Sequence, residues 1–240
     1  MVHIAETDST NRWLRENGTG DMVVVADYQT AGRGCGTNSW ESERGKNLTF
    51  SMLWHPTDIS ARNQFRISEI VSVALCNVLD CYLGGGVEVK WPNDIYYEGG
   101  KLAGILIENR LQGQSVRDCI VGIGLNVNQQ HFLNGAPNPV SLRQLIGHDV
   151  DREELLNVFI DSFDAVSHGN AASSDYRKRM FWRTGVHEFS DKDGIFSAKI
   201  ACLLDDGRLV LDDMSGKRRT YAFKEVQFLL NKTNDESESL

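Results

Sequence analysis

A series of strand-length apolar segments between Val87 and Val127 constrains the fold of this chain more than any other feature. The segments read VEVKW, DIYY, LAGILIE and CIVGIGLNV. The middle two are joined by Glu98-Gly99-Gly100-Lys101, which is a strong hairpin signal. Two earlier strands are predicted by MVVVADYQ at residues 22–29 and by LTFSMLW at Leu48–Trp54. These segments together predict a β-sheet that forms the centre of the first part of the chain.

Helical patterns surround this predicted sheet. Apolar residues recur at helical spacing from Asn63 to Leu83, which predicts one long core helix ended by the glycines at 84–86. A shorter helix is predicted to begin at Ser9 or Thr10, either of which is a typical N-cap. Further helices are predicted at residues 141–146, 152–166 and 176–182. The fold class is therefore α+β, a mixed β-sheet packed with helices.

From Val186 onwards the pattern changes to short alternating strands. The turns between them are predicted at Asp193-Gly194, Asp206-Gly207 and Ser215-Gly216. A segment of about 45 residues is close to the minimum for a core of its own, so we expect a small SH3-like β-barrel that leans on the first domain. The predicted organisation is a catalytic, ligand-binding domain at 1–185, the barrel at 186–231 and a polar tail at 232–240.

Charge and cysteine usage exclude several classes of protein. The 25 Lys and Arg residues face 33 Asp and Glu residues, and the resulting charge of −8 has the wrong sign for a protein that grips nucleic acid. The five cysteines form no C-x-x-C pair and the six histidines no H-E-x-x-H, so no zinc site or disulfide framework is indicated. No signal peptide and no stretch of roughly 18 apolar residues is visible. We expect a cytoplasmic protein with no nucleic-acid or membrane partner.

A glycine-rich polar loop at Thr30–Asn47 separates two predicted strands and is too long to be a simple connection. Its glycines, Gly32, Gly34 and Gly36, let the backbone approach a ligand closely. Arg33 lies between them and offers a fixed cation with five donors. Such a loop suits a phosphate or a carboxylate, although a G-x-G-x-G pattern alone is also typical of a flexible turn. It is not the dinucleotide-binding motif, which opens a helix directly after a strand.

Polar residues also cluster at the end of the VEVKW strand. The proline of Trp91-Pro92 stiffens the backbone after Lys90, whose ammonium there either neutralises a phosphoryl charge or is simply solvated. Asn93 and Asp94 either support metal or ligand contacts or only make the turn. The pattern leaves both interpretations open.

Three other parts of the sequence are compatible either with a purely structural role or with ligand binding. Ser9 and Thr10 either cap a helix or bind a ligand, and Gln29 lies at a strand end. Gly122 and Gly124 interrupt an apolar strand, which indicates either a bulge or a backbone pressed against a flat ligand.

Taken in order, these segments resemble the catalytic core of biotin protein ligases. The matching motifs are D-S-T-N at residues 8–11, Y-Q-x-A-G-R-G at 28–34, K-W-P-N-D at 90–94, K-L-A-G-I-L at 101–106 and G-x-G-x-N at 122–126. They cover residues 7–127 densely, and the C-terminal barrel is similar to the end domain of that family. The related lipoate ligases share the fold but usually lack K-W-P-N-D beside Y-Q-x-A-G-R-G.

The resemblance implies a two-step ATP-dependent reaction. The biotin carboxylate attacks the α-phosphate of ATP to give biotinyl-5′-AMP and pyrophosphate, and a lysine of a biotin carboxyl carrier protein then attacks the mixed anhydride. ATP with its Mg²⁺ and biotin are substrates, and no tightly held prosthetic group is implied. Because D-S-T-N begins at Asp8, we expect the monofunctional type without an N-terminal DNA-binding domain. A homodimer is left open.

The same resemblance implies the site residues. The catalytic residues are Lys90 and Arg33. The biotin-binding residues are Ser9, Thr10, Asn11, Gln29, Gly32, Arg33, Gly34, Cys35, Lys90 and Gly122. The ATP- and adenylate-binding residues are Arg33, Trp40, Lys90, Asn93, Lys101 and Asn126, with Trp40 covering the adenylate and Asn126 bonding adenine. No metal ligand is certain, and Asp94 is the one candidate for a contact with Mg²⁺.

The loop departs from the usual G-R-G-R-x-G-R-x-W pattern of the family. It reads GRGCGTNSW, so Cys35 and Asn38 stand where two arginines are often found. We expect a weaker hold on the adenylate phosphate, by about 1–3 kcal/mol for each charged hydrogen bond lost. Compensation by Arg44, Lys46 or Lys101 would restore that hold.

Cys35 also leaves an alternative function open. A thiolate beside Arg33 would be activated as a nucleophile, as in some lipoyl-transferring relatives. The alternatives are therefore a lipoate or octanoate ligase or transferase of the same fold, and a non-catalytic protein that senses biotin.

Overall fold

A seven-stranded sheet forms the centre of the first part of the chain. The computed structural model describes residues 1–36, 38–132 and 138–230. The strands of this sheet are β1 (Val2–Ile4), β2 (Met22–Ala26), β3 (Leu48–Trp54), β4 (Glu88–Lys90), β5 (Asp94–Tyr97), β6 (Gly100–Gln112) and β7 (Ser115–Leu125). Their order is β1-β2-β3-β7-β6-β5-β4, and only β1 and β2 pair in parallel. The predicted mixed sheet is confirmed.

Helices pack on both faces of this sheet. They are α1 (Thr10–Asn17), α2 (Phe65–Leu83), α3 (Leu142–Ile146), α4 (Arg152–His168) and α5 (Ala172–Lys178), with a 3-10 turn at Ala61–Asn63. Helix α1 lies on one face, where Leu14 packs against strands β2, β3 and β7, and the other four helices lie on the opposite face. The long helix α2 is buried on most of its surface because it lies between the sheet and the helices α4 and α5. It ends at Gly84, whose φ of 78° is readily adopted by glycine and whose N–H donates to the Asp80 carbonyl.

A second sheet follows helix α5. Its strands are β8 (His187–Asp191), β9 (Gly194–Leu203), β10 (Leu209–Asp213), β11 (Arg218–Tyr221) and β12 (Gln227–Phe228), all antiparallel, in the order β11-β10-β9-β8-β12. The α+β class with a small β unit at the C-terminal end is confirmed. In the described residues the edge strands β11 and β12 do not pair with each other, so the strands form an open sheet and the barrel closure is not seen.

One hydrophobic core runs through both sheets. It contains residues of the first sheet and of α2, such as Trp91, together with Phe189, Leu203 and Val226 of the second unit. Trp182 stacks on His187 at 4.4 Å between ring centroids and forms part of the junction. The division at residues 185 and 186 into two domains stays a prediction.

Helix α5 begins and ends four residues earlier than its predicted range of 176–182. The reason is a tertiary contact: the Arg179 carbonyl accepts a hydrogen bond from Val89 N–H, and Phe181 N–H donates to the Val89 carbonyl. These bonds hold the segment extended along β4, and they replace the bonds that a longer helix would need.

Other elements differ less from the sequence prediction. Strand β1 was not predicted, and β6 and β7 are longer than the apolar runs that indicate them. The run RTYAFKEVQFLL is two strands with a turn between them. The polar tail lies outside the described residues. Within the part of the chain that is described, none of the helices combines the length and hydropathy needed to cross a membrane.

Candidate functional site

A cleft of about 900 Å³ lies where the first sheet meets the second. Its walls include the glycine-rich loop, the start of α1, and the facing strands β4 to β7. All the predicted site residues line it except Gly32. Gly32 is buried beside the loop, where its carbonyl accepts a hydrogen bond from Trp40 N–H at 2.9 Å. The five sequence motifs therefore converge on one place.

A buried hydrogen-bonded set closes one end of the cleft. Both the backbone N–H and the hydroxyl of Thr10 donate to Gln29 Oε1, at 2.8 and 3.2 Å. Ser51 Oγ lies 2.7 Å from Thr10 Oγ1 and 2.6 Å from Asn11 Oδ1. Asn11 Nδ2 in turn donates to Glu108 Oε2 at 3.1 Å. Because Gln29 Oε1 already accepts two bonds, its amide nitrogen is the group left to donate to a ligand.

Ser51 and Glu108 were not predicted as part of this site. Ser51 is completely buried in strand β3 and aligns two predicted ligand-binding residues, Thr10 and Asn11. The available signal was a pair of hydroxyl residues, Thr49 and Ser51, within the apolar run LTFSMLW, since a buried polar group needs a partner. Ser9 lies next to the set at 4% exposure.

Two paired glycines form a flat surface on the floor of the cleft. Gly104 of β6 is directly opposite Gly124 of β7 in regular register. A Cβ atom on Gly124 would lie 2.3 Å from Trp40 Cε2, and one on Gly104 would lie 3.2 Å from Trp40 Cζ3. The indole of Trp40 therefore packs on bare backbone. Of the two interpretations offered by the sequence, the bulge is not seen at this point. The backbone is instead covered by the flat side chain of Trp40, and its contact with a flat ligand stays a prediction.

Gly122 performs a similar role beside the hydrogen-bonded set. A Cβ atom there would lie 2.2 Å from Asn11 Oδ1, so a side chain would displace the amide of Asn11. The Trp40 indole nitrogen is buried and has no hydrogen-bond partner in the described parts of the chain. A ligand that offers an acceptor there would satisfy it.

Lys90 is a partly buried cation without a carboxylate partner among the described residues. Its Nζ lies 5.6 Å from the ring centroid of Tyr96 and 5.1 Å from that of Phe228. Burial lowers the pKa of the Lys90 ammonium below its ordinary value, while the nearby Asp94 carboxylate acts against this shift. A bound anion would supply the missing partner.

Lys101 and Asp94 neutralise each other beside Lys90, because Asp94 of β5 is the cross-strand partner of Lys90 in β4. Lys101 Nζ is 2.7 Å from Asp94 Oδ1, and the ammonium is 6.0 Å from the Trp40 ring centroid. Over the described ranges no group of three or more His, Cys, Asp or Glu side chains could hold a metal ion. Asp94 is thus engaged by a lysine and is not part of a built metal site.

The two asparagines of the predicted adenylate site are held by the backbone. Asn126 Nδ2 donates to the carbonyls of Lys101 at 3.3 Å and Val140 at 3.2 Å. Asn93 Nδ2 donates to the Ile105 carbonyl and to Cys35 Sγ. Their amide nitrogens therefore join the walls of the cleft to one another.

The glycine-rich loop folds over the cleft as a small hairpin. Arg33 and Ser39 pair as an isolated antiparallel bridge, and Gly34 N–H donates to the Asn38 carbonyl at 2.8 Å. The Arg33 side chain is exposed at the rim. The Arg44 side chain does not line the cleft. Its guanidinium forms an ion pair with Glu6 and lies 4.6 Å from the Tyr28 ring centroid.

The environment of Cys35 opposes the activated thiolate that its position beside Arg33 predicts. Burial raises the pKa of the Cys35 thiol, and the hydrogen bond from Asn93 offsets only part of the rise. A raised pKa reduces the fraction of thiolate at neutral pH. This environment does not favour the nucleophilic cysteine of the alternative function, which stays a prediction.

The second sheet contributes a wall of the cleft that the sequence did not predict. Its lining residues are Phe223, Lys224, Val226, Gln227 and Phe228. Trp91 joins this wall to the first sheet, because its Nε1 donates to the Gly207 carbonyl at 2.8 Å and its ring meets Phe223 edge to face. No local motif marks these residues, since their role depends on a contact between distant parts of the chain.

The amino-acid sequence of the chain is similar to those of known proteins. Residues 4–126 match the model of the biotin/lipoate A/B protein ligase family. The biotin–[acetyl-CoA-carboxylase] ligase of Paracoccus denitrificans is 34% identical over 169 residues, which cover 67% of this chain and 70% of that protein. The bifunctional ligase/repressor BirA of Bacillus subtilis is 29% identical over 236 residues, covering 91% of this chain and 70% of that protein.

Solved structures share the arrangement over nearly the whole chain. The biotin protein ligase of Aquifex aeolicus in complex with biotin and ATP superimposes with a TM-score of 0.79 at 24% identity, covering 96% of this chain and 98% of that one. The biotin protein ligase of Leishmania major in complex with biotinyl-5-AMP gives a TM-score of 0.63 at 22% identity, over 92% and 98% of the two chains. At this identity the likeness shows the shared fold.

Proposed function

The chain belongs to the biotin/lipoate A/B protein ligase family, and from that premise we propose that it is an ATP-dependent biotin protein ligase. In the proposed reaction the enzyme activates biotin as biotinyl-5′-AMP and transfers it to a lysine of a biotin carboxyl carrier protein. One observation carries the proposal: a single cleft combines a buried amide-binding set, an unpaired lysine and a flat backbone floor.

The buried set suits the ureido ring of biotin. A urea has N–H donors and a carbonyl acceptor, and each must be paired when the ring is buried. The Gln29 amide nitrogen and the hydroxyls of Ser9 and Thr10 offer both kinds of group at one end of the cleft. Leu106 lines the cleft beyond them, beside the bare backbone of Gly104, and offers apolar surface for the aliphatic tail.

The unpaired cations suit the first chemical step. A carboxylate oxygen of biotin forms a bond to the α-phosphorus of ATP, and the bond from that phosphorus to pyrophosphate breaks. Negative charge is spread over the phosphoryl oxygens in the transition state, so a positioned ammonium stabilises it. Lys90 is placed for this task because it is desolvated and has no carboxylate partner within the described chain. Arg33 at the rim adds a second cation.

The glycine floor suits the adenine base. A planar base needs backbone without side chains, and Gly104 and Gly124 supply it. The Trp40 indole packs on these glycines in this structure, so it would have to lift for the base to enter beneath it and be covered. Mg²⁺ would arrive with ATP, bound mainly to phosphate oxygens and water. Any contact of Asp94 with that ion would compete with Lys101 for the charge of the carboxylate.

The second step joins the acyl group to the carrier protein. The acceptor lysine amine attacks the carbonyl carbon of the mixed anhydride, an amide bond forms, AMP leaves and the amine loses a proton. The relative from Paracoccus denitrificans is named for acetyl-CoA carboxylase, which supports a carboxyl carrier domain as the partner. We place the reaction in the cytoplasm, and a homodimer stays a prediction.

The proposal is tested by two assays on the purified chain. Biotin should stimulate the exchange of labelled pyrophosphate into ATP, and labelled biotin should enter a carrier domain only when ATP is present. A carrier domain with its acceptor lysine replaced by arginine is the control and should stay unlabelled. Binding of biotin without exchange would contradict the proposal and favour a biotin sensor.

The acyl transferase is the second candidate, and Cys35 decides it. Serine should keep the contact with Asn93, so we expect Cys35→Ser to change the KM for ATP by less than about fivefold and to form no thioester. Loss of activity together with a Cys35 thioester on the unmodified chain, detected by mass spectrometry, would support the transferase.

A further inference from the structure

A turn of the second sheet reaches the rim of the cleft beside the glycine-rich loop. The turn spans Ala222 to Glu225 and is closed by two hydrogen bonds, from Glu225 N–H to the Ala222 carbonyl and from Ala222 N–H to Glu225 Oε2. Lys224 lies within it at a φ of 70°, a left-handed conformation that lysine seldom adopts. The turn therefore presents this lysine to the cleft at a cost in backbone strain.

The Lys224 ammonium touches the loop. A Cβ atom on Gly36 would lie 1.6 Å from Lys224 Nζ, so the ammonium packs directly against the loop backbone. Its charge also reaches Cys35: burial raises the pKa of that thiol, and the charge of Lys224 acts against the rise. Lys224 thus lies next to Gly36 and near Cys35. The sequence of residues 34–39, which directly follows Arg33, contains no lysine or arginine.

The charges around the cleft leave few cations for a polyanionic triphosphate. Asp94 neutralises Lys101, and Glu6 holds Arg44 away from the cleft. Lys224 has no carboxylate within ion-pair distance in the described segments, and the one acidic group of its own turn, Glu225, accepts from the backbone instead. A chain of net charge −8 that binds ATP needs such unpaired cations locally.

Its position is fixed by packing against the K-W-P-N-D segment. The neighbouring Phe223 meets the Trp91 ring edge to face with centroids 6.4 Å apart, and Val226 is 6% exposed in the common core. Trp91 directly follows Lys90, the predicted catalytic lysine. Lys90 and Lys224 are therefore each next in the chain to one of the two rings that form this aromatic contact.

We propose that Lys224 binds the phosphates of ATP and of the acyl-adenylate, and that the second sheet thereby supplies the cation that Cys35 and Asn38 do not provide in the loop. The proposal rests on the proposed ligase function. It makes the second sheet part of the binding site for the nucleotide and adds a residue that no motif of the chain indicated.

Substitution of Lys224 by glycine tests this without the risk of a misfolded chain. Lys224→Gly removes the ammonium and also relieves the left-handed backbone, so its Tm should equal or exceed that of the unmodified protein. We expect the KM for ATP in pyrophosphate exchange to rise about tenfold. The dissociation constant for biotin alone, measured by calorimetry, should stay within twofold.

Two further variants identify the charge as the cause. Lys224→Arg should keep the KM for ATP within about threefold because it retains the cation. Lys217→Gly, in the exposed turn of the same sheet, is the matched control and should leave the KM unchanged. Binding of α,β-methylene-ATP by calorimetry should weaken in Lys224→Gly in parallel with KM, and the difference should shrink as salt rises.

The outcomes separate this proposal from the ligase function. An unmodified chain that ligates biotin, with Lys224→Gly unchanged in its KM for ATP, overturns the role of Lys224 and leaves the function standing. An equal effect of Lys224→Arg and Lys224→Gly also overturns it, because loss of charge is then not the cause. An unmodified chain without biotin-dependent exchange overturns both.

Discussion

At the scale of single residues, the cleft keeps a cation at the expense of stability. Lys90 is partly buried between two aromatic rings, and no described carboxylate pairs with it. Taking an ammonium out of water is unfavourable unless another charge replaces the lost hydration. In the proposed reaction that charge belongs to the substrate. The unliganded protein is therefore destabilised by the desolvation of Lys90, and binding of the anion removes this destabilisation.

Replacement of this lysine should therefore raise stability and lower activity. Burial lowers the pKa of folded Lys90 relative to the unfolded chain. The unfavourable desolvation free energy is therefore complete below the folded pKa, decreases as pH rises through it and is absent above the unfolded pKa. We expect Lys90→Met to raise Tm by about 1–3 °C at pH 7 and to slow biotin-dependent adenylation by about 10²–10³. Calorimetry and pyrophosphate exchange measure the two effects.

A matched lysine separates the two effects from a general change of charge. Lys199 is exposed on β9, and Lys199→Met should alter neither Tm nor adenylation. The Tm advantage of Lys90→Met over the unmodified chain should narrow at alkaline pH. A lower Tm in Lys90→Met at pH 7, or undiminished adenylation, would contradict the argument.

At the scale of elements, the floor of the cleft depends on two strands aligned without side chains. The register of β6 and β7 places Gly104 opposite Gly124, and Trp40 from the loop lies on them. One glycine on one strand would leave too narrow a surface for a two-ring group such as an indole, and the paired glycines of adjacent strands make it wide enough. The consequence is that a single methyl group can disturb the site without disturbing the sheet.

Addition of one methyl group to this floor should weaken nucleotide binding selectively. A Cβ atom on Gly124 would lie 2.3 Å from Trp40 Cε2, so Gly124→Ala must displace the indole. We expect the KM for ATP to rise about tenfold, while biotin affinity and the far-ultraviolet circular dichroism stay close to those of the unmodified chain. Gly104→Ala is the graded control, because its Cβ would lie 3.2 Å from the indole, and its effect should be smaller.

Most of the helices and strands could be predicted from local patterns in the sequence. Local patterns located α2, the strands β2 to β7 of the first sheet and the turns at 193–194 and 206–207, because spacing and glycine positions act within a few residues. They misplaced α5, since Val89 bonds to Arg179 and Phe181 across the fold. They also missed β1, which three residues form only by pairing with β2.

The residues of the site also divide into those that a local motif predicted and those that depend on tertiary contacts. The motifs named nearly all the residues from the first sheet that line the cleft, because each motif is contiguous. The wall that includes Lys224 depends on contacts between distant segments, which no motif records. The ion pair of Lys101 with Asp94 is local to the hairpin of β5 and β6, but the register that aligns the two side chains could not be read from the motifs. Ser51 looked like one more residue of an apolar strand, although it aligns Thr10 and Asn11.

At the scale of the whole molecule, the two sheets share one core and one cleft. Core residues of both sheets belong to the same cluster, and Trp91 bonds to Gly207 across the junction. The second sheet alone is close to the lower limit for an independent core. Its packing against the first therefore supports both its own stability and the wall of the site.

The shared core predicts one cooperative unfolding transition for the chain. Differential scanning calorimetry should give a single endotherm whose calorimetric enthalpy is about equal to its van't Hoff enthalpy. Near-ultraviolet circular dichroism of the tryptophans should follow the same curve. Two separated transitions would contradict the prediction and would instead indicate two sheets that fold independently.

The buried hydrogen-bonded set of Thr10, Gln29 and Ser51 also determines which acids the cleft refuses. An acyl chain that ends in a hydrocarbon or a dithiolane ring cannot pair with the Gln29 amide, and its entry would strip water from that group without replacement. Sites of this kind reject the unpaired analogue by about 10⁴–10⁵, far more than a hydrophobic pocket achieves through size. Selectivity between biotin and fatty or lipoic acids would then arise from a penalty on the wrong acid, and this end of the cleft would act as a filter before any chemistry begins.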